Sequence, residues 1–459
     1  MPRPHALRSP RAAFATTAAA AFAFGFASAA RATDAQSHLL SGTLENPVFA
    51  NSTVGTDLLW QLGYYGQDIV IANVEAGHFW GGHEVFNRAA VNAAVGTSLP
   101  PAPAVQVNVL PTAEATALGE IDFHATMVAH VLGGATLVPL DGGGFALSAL
   151  GSGIAPLATL WSGAIATTYS SDPDNIGAFE ITEESFRLPY VEFFTGATHG
   201  RADVINSSWG GAGTSQTSEA RTITGLAAQN PSVTAVFSAG NSGPGPDQIG
   251  FPASSPNVIS VGSLGGASGL TPSSFSSGGP VSFYHPGTDS VIPAARSGVH
   301  LAAPGEDFAL AAYVQPTGGL APILTLEDIS TADNLYFVFS ASGTSFSAPI
   351  VSGGVGLLKN LIKANPAFFP QETALDARVI RSVTMASSLR TEGWNNAQLV
   401  APGGELLTTQ ALDPRTGAGR FDVGRAAELY ISGTRDVPGL AGASGLASVG
   451  WDFGTLDLG

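Results

Sequence analysis

The chain has 459 residues, 44% hydrophobic and only 12% charged, enough apolar material for a large buried core. Its 18 Lys and Arg stand against 35 Asp and Glu, a net charge of −17, which argues against nucleic acid as a partner. Cysteine is absent, and this excludes disulfides, a thiol nucleophile and cysteine-ligated zinc.

Arg3, Arg8 and Arg11 precede an Ala/Phe-rich run from Ala12 to Phe26, followed by Ala27-Ser28-Ala29 and Ala30-Arg31-Ala32. Basic region, apolar region and small-residue cleavage sites in that order predict a signal peptide over residues 1–32, cut after Ala29 or Ala32. A transmembrane anchor and an Arg- and Ala-rich transit peptide are the alternatives, but the apolar stretch is short for a span. Losing four arginines and no acid takes the charge from −17 to −21, and the mature protein is expected to be secreted, soluble and monomeric, with no membrane span. Residues 33–57 are polar and read as an arm too short to be a folding domain. No Pro/Ser linker or charge run divides the middle, so one domain is expected over 58–432, with a Gly-rich tail or the start of a further β region over 433–459.

Asp68 to Val74 is a continuous apolar run, the pattern of a parallel strand buried on both faces, with Glu75 at its carboxyl end. Val91 to Thr116 is poor in charge and reads as a loop. Asp122 to Gly134 reads as a helix opened by His124 and closed by a glycine pair. A lone histidine is more often structural than catalytic, and His130, His78 and His83 are read as core or surface residues. Gly153–Trp161 reads as a core strand with its entry turn, and Asp203–Gly211 and Val233–Asn241 as two further strands, with a helix over 217–229. Gly343-Thr344-Ser345 opens the run Ile350–Leu358, and the helical spacing of Ile350, Val351, Val355, Leu358, Leu361 and Ile362 predicts a buried helix beginning near Ser345. Pro349 fits a first turn, which needs no N–H, and Asn365-Pro366 ends the helix. A serine hydroxyl at such an N-terminus lies among unpaired N–H groups that can bind an oxyanion. Leu375–Ser388 is a further helix, and loops near 281–299 and 306–338 read as insertions.

Taken together, these strings resemble the subtilisin-like serine peptidases. Ser342-Gly343-Thr344-Ser345 with Pro349 is similar to that family's nucleophile motif, and His124-Ala125-Thr126-Met127-Val128-Ala129 to its histidine motif, departing at Ala125, Met127 and His130. Ile71–Gly77 resembles the strand bearing the triad acid, with Glu75 where the family has aspartate. The segment Gly417–Val423 resembles the family's closing segment. The resemblance implies a three-layer α/β/α fold with a mostly parallel central sheet, and a serine endopeptidase acting on proteins or peptides. It implies Ser345 as nucleophile, His124 as base, Glu75 as orienting acid and Asn241 as oxyanion donor. Ser208, Trp209, Gly210, Ser238, Ala239 and Gly240 are implied as substrate-binding edges. Asp122 is the main rival acid, with its side chain expected to be directed elsewhere, and Glu84 and Glu120 are weaker rivals. The order acid, histidine, serine differs from the chymotrypsin arrangement, and no G-x-S-x-G elbow occurs. No cofactor is required by this chemistry; Asp172, Asp174 and Asn175 could ligate calcium, although no dense calcium loop occurs. The rival from another class is a catalytically inactive surface or adhesion module on the same fold.

Overall fold

The apolar runs become the strands of one sheet. The structure, a computed structural model, describes residues 16–18, 50–110, 117, 119–141, 143–148, 151–170, 178–266, 268–311, 313, 337–400, 403, 406–408, 411–432, 450, 451 and 453. The expected signal peptide, apart from a short strand at Thr16–Ala18, lies outside the described residues, as do most of the arm, the loop with Asp172, Asp174 and Asn175, and most of the tail. In chain order the main elements are α1 (Thr56–Gln61), β1 (Val70–Glu75), α2 (Arg88–Val95), β2 (Gln106–Val107), α3 (Phe123–Gly133), β3 (Thr159–Ala164), α4 (Glu183–Thr195) and β4 (Val204–Ser207). There follow α5 (Ser218–Gln229), β5 (Thr234–Ser238), β6 (Ile259–Gly265), β7 (Thr271–Pro272), β8 (Leu301–Pro304), α6 (Thr344–Ala364), α7 (Ala377–Ser387) and α8 (Val423–Ile431).

The strands run in the order β7-β6-β5-β4-β1-β3-β2, with β8 also paired to β6. All these pairings are parallel except β6 with β7. Alternate residues feed two cores. Ile71, Val204, Val236 and Val261 pack with α3, α6, α7 and α8 on one face. Ala72, Ile205 and Phe237 pack with α4 and α5 on the other. Burial on both faces is why each strand reads as unbroken apolar sequence rather than as alternation. The result is the expected three-layer α/β/α architecture with a mostly parallel sheet.

Helix α6 runs through the larger core, and every residue from Thr344 to Ile362 is buried. Its glycines mark close approach: a Cβ on Gly353 would lie 2.6 Å from Ile154 Cβ, and one on Gly354 2.5 Å from the Phe421 ring. Lys359, fully buried in this helix, donates to the carbonyls of Asp203 and Ser232.

Several boundaries differ from the sequence reading. Residues 91–116 are not all loop: Asn87 caps α2 by accepting from Ala90 N–H, Gly96 closes it at φ 72°, and β2 joins the sheet edge. With Arg88 and Val91 the buried residues of this helix, periodicity was too sparse to reveal it. Strand β3 begins at Thr159 after the expected entry turn, whose Gly153, Ile154 and Ala155 N–H groups donate to the carbonyls of Gly134, Val131 and Leu132 at the end of α3. The segment 281–299 contains a hairpin of Val281–His285 with Ser290–Arg296. His130 and His78 are core residues: His130 bridges the Gly151 carbonyl and the Ala311 N–H, and His78 lies between Ser162 and Asn108. His83 is buried too, and its side chain accepts from Val85 N–H.

Candidate active site

Strand β1 lies between β3 and β4, with earlier-following strands to one side and later ones to the other. At such a switch point the carboxyl ends of neighbouring strands open a crevice. Glu75 is the last residue of β1, and Ser208 comes directly after β4.

Glu75 is 1% exposed, and both its oxygens are used. Oε1 accepts the Ser208 N–H at 2.7 Å, and Oε2 lies 3.1 Å from His124 Nδ1. An ionised carboxylate can only accept, so the contact puts the ring proton on Nδ1 and the lone pair of a neutral imidazole on Nε2. Burial pushes the Glu75 carboxyl above its ordinary range, opposed by His124 and the Ser208 N–H. Burial alone would lower the His124 pKa, but the hydrogen bond and charge of Glu75, joined by the charge of Asp122, leave it raised.

His124 is the second residue of α3, one position further in than expected, because Asp122 is the N-cap. Asp122 Oδ1 accepts the His124 backbone N–H at 2.9 Å. Its side chain is thus directed to backbone, as expected. Glu84 lies beside His83, 3.5 Å from its ring, on a different turn.

Ser345 stands in the first turn of α6, and the ring of the next residue, Phe346, lies 6.0 Å from the His124 ring. Pro349 is deeper in the helix than the first turn, so its missing N–H leaves the Ser345 carbonyl without its i+4 donor. Ser208 Oγ supplies the substitute, donating to the Ser345 carbonyl at 2.8 Å, and Ser345 Oγ donates back to the Ser208 carbonyl at 3.2 Å. One residue therefore touches both the acid and the nucleophile.

Asn241, expected as oxyanion donor, is oriented by a neighbour that sequence reasoning missed. Its Oδ1 accepts from the backbone N–H of Thr344 at 3.0 Å and from the Thr344 hydroxyl at 2.9 Å. The amide group is thereby turned so that Nδ2 faces Gly343. A Cβ on Gly343 would fall 3.4 Å from Asn241 Nδ2 and 3.7 Å from the Ser345 backbone nitrogen. Glycine leaves open a space flanked by two N–H donors.

Beside this space is a cavity of about 290 Å³. Ser208, Trp209 and Gly210 line one wall, Ser238, Ala239 and Gly240 another, so all six residues expected at the substrate edges border it. Trp209 is held by edge contacts with Phe186 and Phe251 and donates from Nε1 to Tyr190 Oη at 3.2 Å. Phe251, Gly250, Asp247 and Gln248 also border it and were not foreseen. Asp247 also reaches the cavity; its two oxygens accept from the Ser282 N–H and hydroxyl at 2.6 and 2.9 Å. No local pattern marks Asp247, because its partner Ser282 is 35 residues away. Among the described residues no group of three or more His, Asp or Glu is placed to hold a metal ion.

Comparison with known proteins agrees with this geometry. The family model of the subtilases matches residues 106–419, a segment that holds His124, Asn241 and Ser345 and begins after Glu75. Among solved structures, the prenylagaramide maturation protease PagA aligns over 82% of this chain and 98% of its own, at 20% identity and a TM-score of 0.50. Fervidolysin from Fervidobacterium pennivorans, a keratinolytic enzyme related to subtilisin, aligns over 86% of this chain and 47% of its own, also at 20% identity and a TM-score of 0.50. At that identity the likeness is one of fold. Curated proteins gave no match. With a family model spanning more than half of its length and the fold to go with it, the chain belongs to the subtilase family of serine endopeptidases.

Proposed function

We propose that the protein is a secreted endopeptidase that cleaves peptide bonds through Ser345, His124 and Glu75. The observation that carries this reading is the fully buried contact of Glu75 Oε2 with His124 Nδ1 at 3.1 Å, which fixes the tautomer a general base needs. Ser345 Oγ leaves the Ser208 carbonyl, gives its proton to His124 Nε2 and attacks the scissile carbonyl. The oxyanion is received by Asn241 Nδ2 and the Ser345 N–H. The imidazolium, stabilised by Glu75, then protonates the leaving amine, and water repeats the sequence on the acyl-enzyme. Nucleophile, base, acid and donors are all groups of this chain, so the chemistry calls on no cofactor.

The substrate is a protein or peptide in extended form, whose backbone lies along the edges 208–210 and 238–240 that border the cavity. Its side chain before the cut enters a cavity walled by Gly210, Gly240, Ala239 and Phe251, with the Asp247 carboxylate already bonded to Ser282. Neutral, apolar or small residues suit it. An organophosphonate probe tests the reading: labelling confined to Ser345 supports the enzyme, and folded protein that takes no label supports an inactive surface module instead. Secretion is tested separately by sequencing the N-terminus of native protein, expected near Ala30 or Thr33; an intact Met1 on most molecules would sink it.

A further inference from the structure

A second buried carboxylate stands beside the base. Asp122 is 1% exposed; its Oδ1 accepts the His124 N–H at 2.9 Å, and the backbone N–H groups of Ala125 and Gly77 favour its negative charge. Gly77 belongs to the turn that leaves β1 directly after Glu75 and Ala76. One side chain therefore ties the strand end that carries the acid to the helix start that carries the base. Two backbone bonds run alongside: His78 N–H to the Glu120 carbonyl at 2.7 Å, and Asp122 N–H to the His78 carbonyl at 2.8 Å. The approach requires glycine at 77, where a Cβ would lie 2.6 Å from the Glu120 carbonyl oxygen and 2.9 Å from Asp122 Cβ.

The charge matters as well as the bonds. Glu75 faces the imidazole from β1, and Asp122, the helix cap, holds the backbone N–H of His124 and acts on the ring through its charge. Glu120 precedes Asp122 on the same loop, and Tyr169, from the strand Thr168–Tyr169, brings its hydroxyl within 2.8 Å of where a Cβ of residue 77 would stand. Burial, then the charges of Asp122 and Glu120, push the Tyr169 phenol well up, so it stays neutral and adds no charge of its own. Burial pushes the Asp122 carboxyl above its ordinary range, opposed by the charge of His124 and by the neighbouring backbone N–H groups.

We propose that Asp122 is a positioning residue for the triad, holding the turn after Glu75 to the helix of His124 and placing a second negative charge near the imidazole. This rests on the reading of His124 as the base. A base under the charge of two carboxylates keeps its proton to a higher pH than one facing a single acid, so activity fails earlier on the acid side.

Asp122→Asn separates the two contributions, because asparagine caps helices as well as aspartate and accepts the same N–H groups without the charge. Its kcat on the neutral plateau is expected to stay within about tenfold of the unmodified chain. The acid limb of its kcat/KM profile should move to lower pH. Asp122→Ala removes the bonds too and is expected to lower kcat about 10²-fold, the cost of a displacement of about 1 Å, with KM little changed. An acid limb for Asp122→Asn that superposes on that of the unmodified chain overturns the charge. Full kcat in folded Asp122→Ala overturns the positioning. Phosphonate labelling of the unmodified chain keeps the two levels apart. If Ser345 labels and Asp122→Asn shows no shift, this inference alone fails; if Ser345 does not label, the enzymatic reading fails first.

Discussion

Glutamate is one methylene longer than aspartate, and here both ends of the longer carboxylate are occupied, one oxygen by the Ser208 N–H and the other by His124. Replacing Glu75 with Gln keeps the shape but permits the wrong ring tautomer. We expect kcat to fall by something on the order of 10⁴, the serine-protease precedent for losing this acid. Because the Glu75 bond and charge help raise the His124 pKa, the residual activity should also extend to lower pH; a pH–rate profile reads both effects. Glu75→Asp should be milder, since the charge stays but the reach to both partners does not. A second test at this scale concerns Gly343. Gly343→Ala places a methyl group between the two oxyanion donors and is expected to lower kcat by about 10²–10³, the loss measured in subtilisin for one such donor, with the thermal unfolding midpoint nearly unchanged. Ser345, His124 and Asn241 were legible because each sits in a short string of fixed spacing. Thr344 as the residue orienting Asn241, and Asp247 and Phe251 at the cavity, were not, because they act through neighbours distant in sequence.

At the scale of elements, the exchange between β4 and α6 makes a sharp prediction. Ser208→Ala leaves the Ser345 carbonyl without its donor, because Pro349 cannot provide one. The expected loss is about 1–3 kcal/mol, the cost of an unsatisfied buried acceptor. Adding Pro349→Ala restores the helical N–H, so the double variant should recover part of that stability, and a double-mutant cycle by urea unfolding should show clear coupling. Additive losses would mean that the two residues act independently. The sequence revealed this helix, and its start to within one residue, because its apolar spacing is long and regular; what it misplaced was Pro349, which lies past the first turn. The burial of Lys359 was hidden too: it is satisfied by carbonyls at the starts of two strands rather than by water.

For the molecule as a whole, stability should depend on pH through His130. This imidazole is fully buried and neutral, held between the Gly151 carbonyl and the Ala311 N–H, and burial lowers its pKa to about 4. The unfolded chain binds a proton on this residue near pH 6.5, so its contribution is complete above that pH. It is lost as pH falls through 6.5, and the loss levels off below about 4 at up to roughly 3 kcal/mol. Urea unfolding of the unmodified chain and His130→Gln between pH 7 and 4 should show a steeper decline in the former. A chain ended at residue 432 keeps every proposed site residue but loses Trp451, buried against Tyr430 at 5.3 Å between rings. It should cleave small peptides normally while losing on the order of 3 kcal/mol of stability, checked by activity and unfolding on one preparation. The sheet was legible as a whole because doubly buried strands announce themselves; α2 and β2 were not, since a sheet edge needs few apolar residues. At the opposite end of the chain, the Val54 carbonyl accepts the N–H of Val423 at the start of α8. A ribosome delivers Val54 early and Val423 near the end, and Ser345 comes 270 positions after Glu75. During synthesis the emerging polypeptide therefore carries an acid and a base with no nucleophile over the whole stretch from His124 to Ser345. Even after Ser345 appears, the clasp of α8 onto the Val54 carbonyl waits for Val423, so cutting power arrives only after every strand of the main sheet has been made.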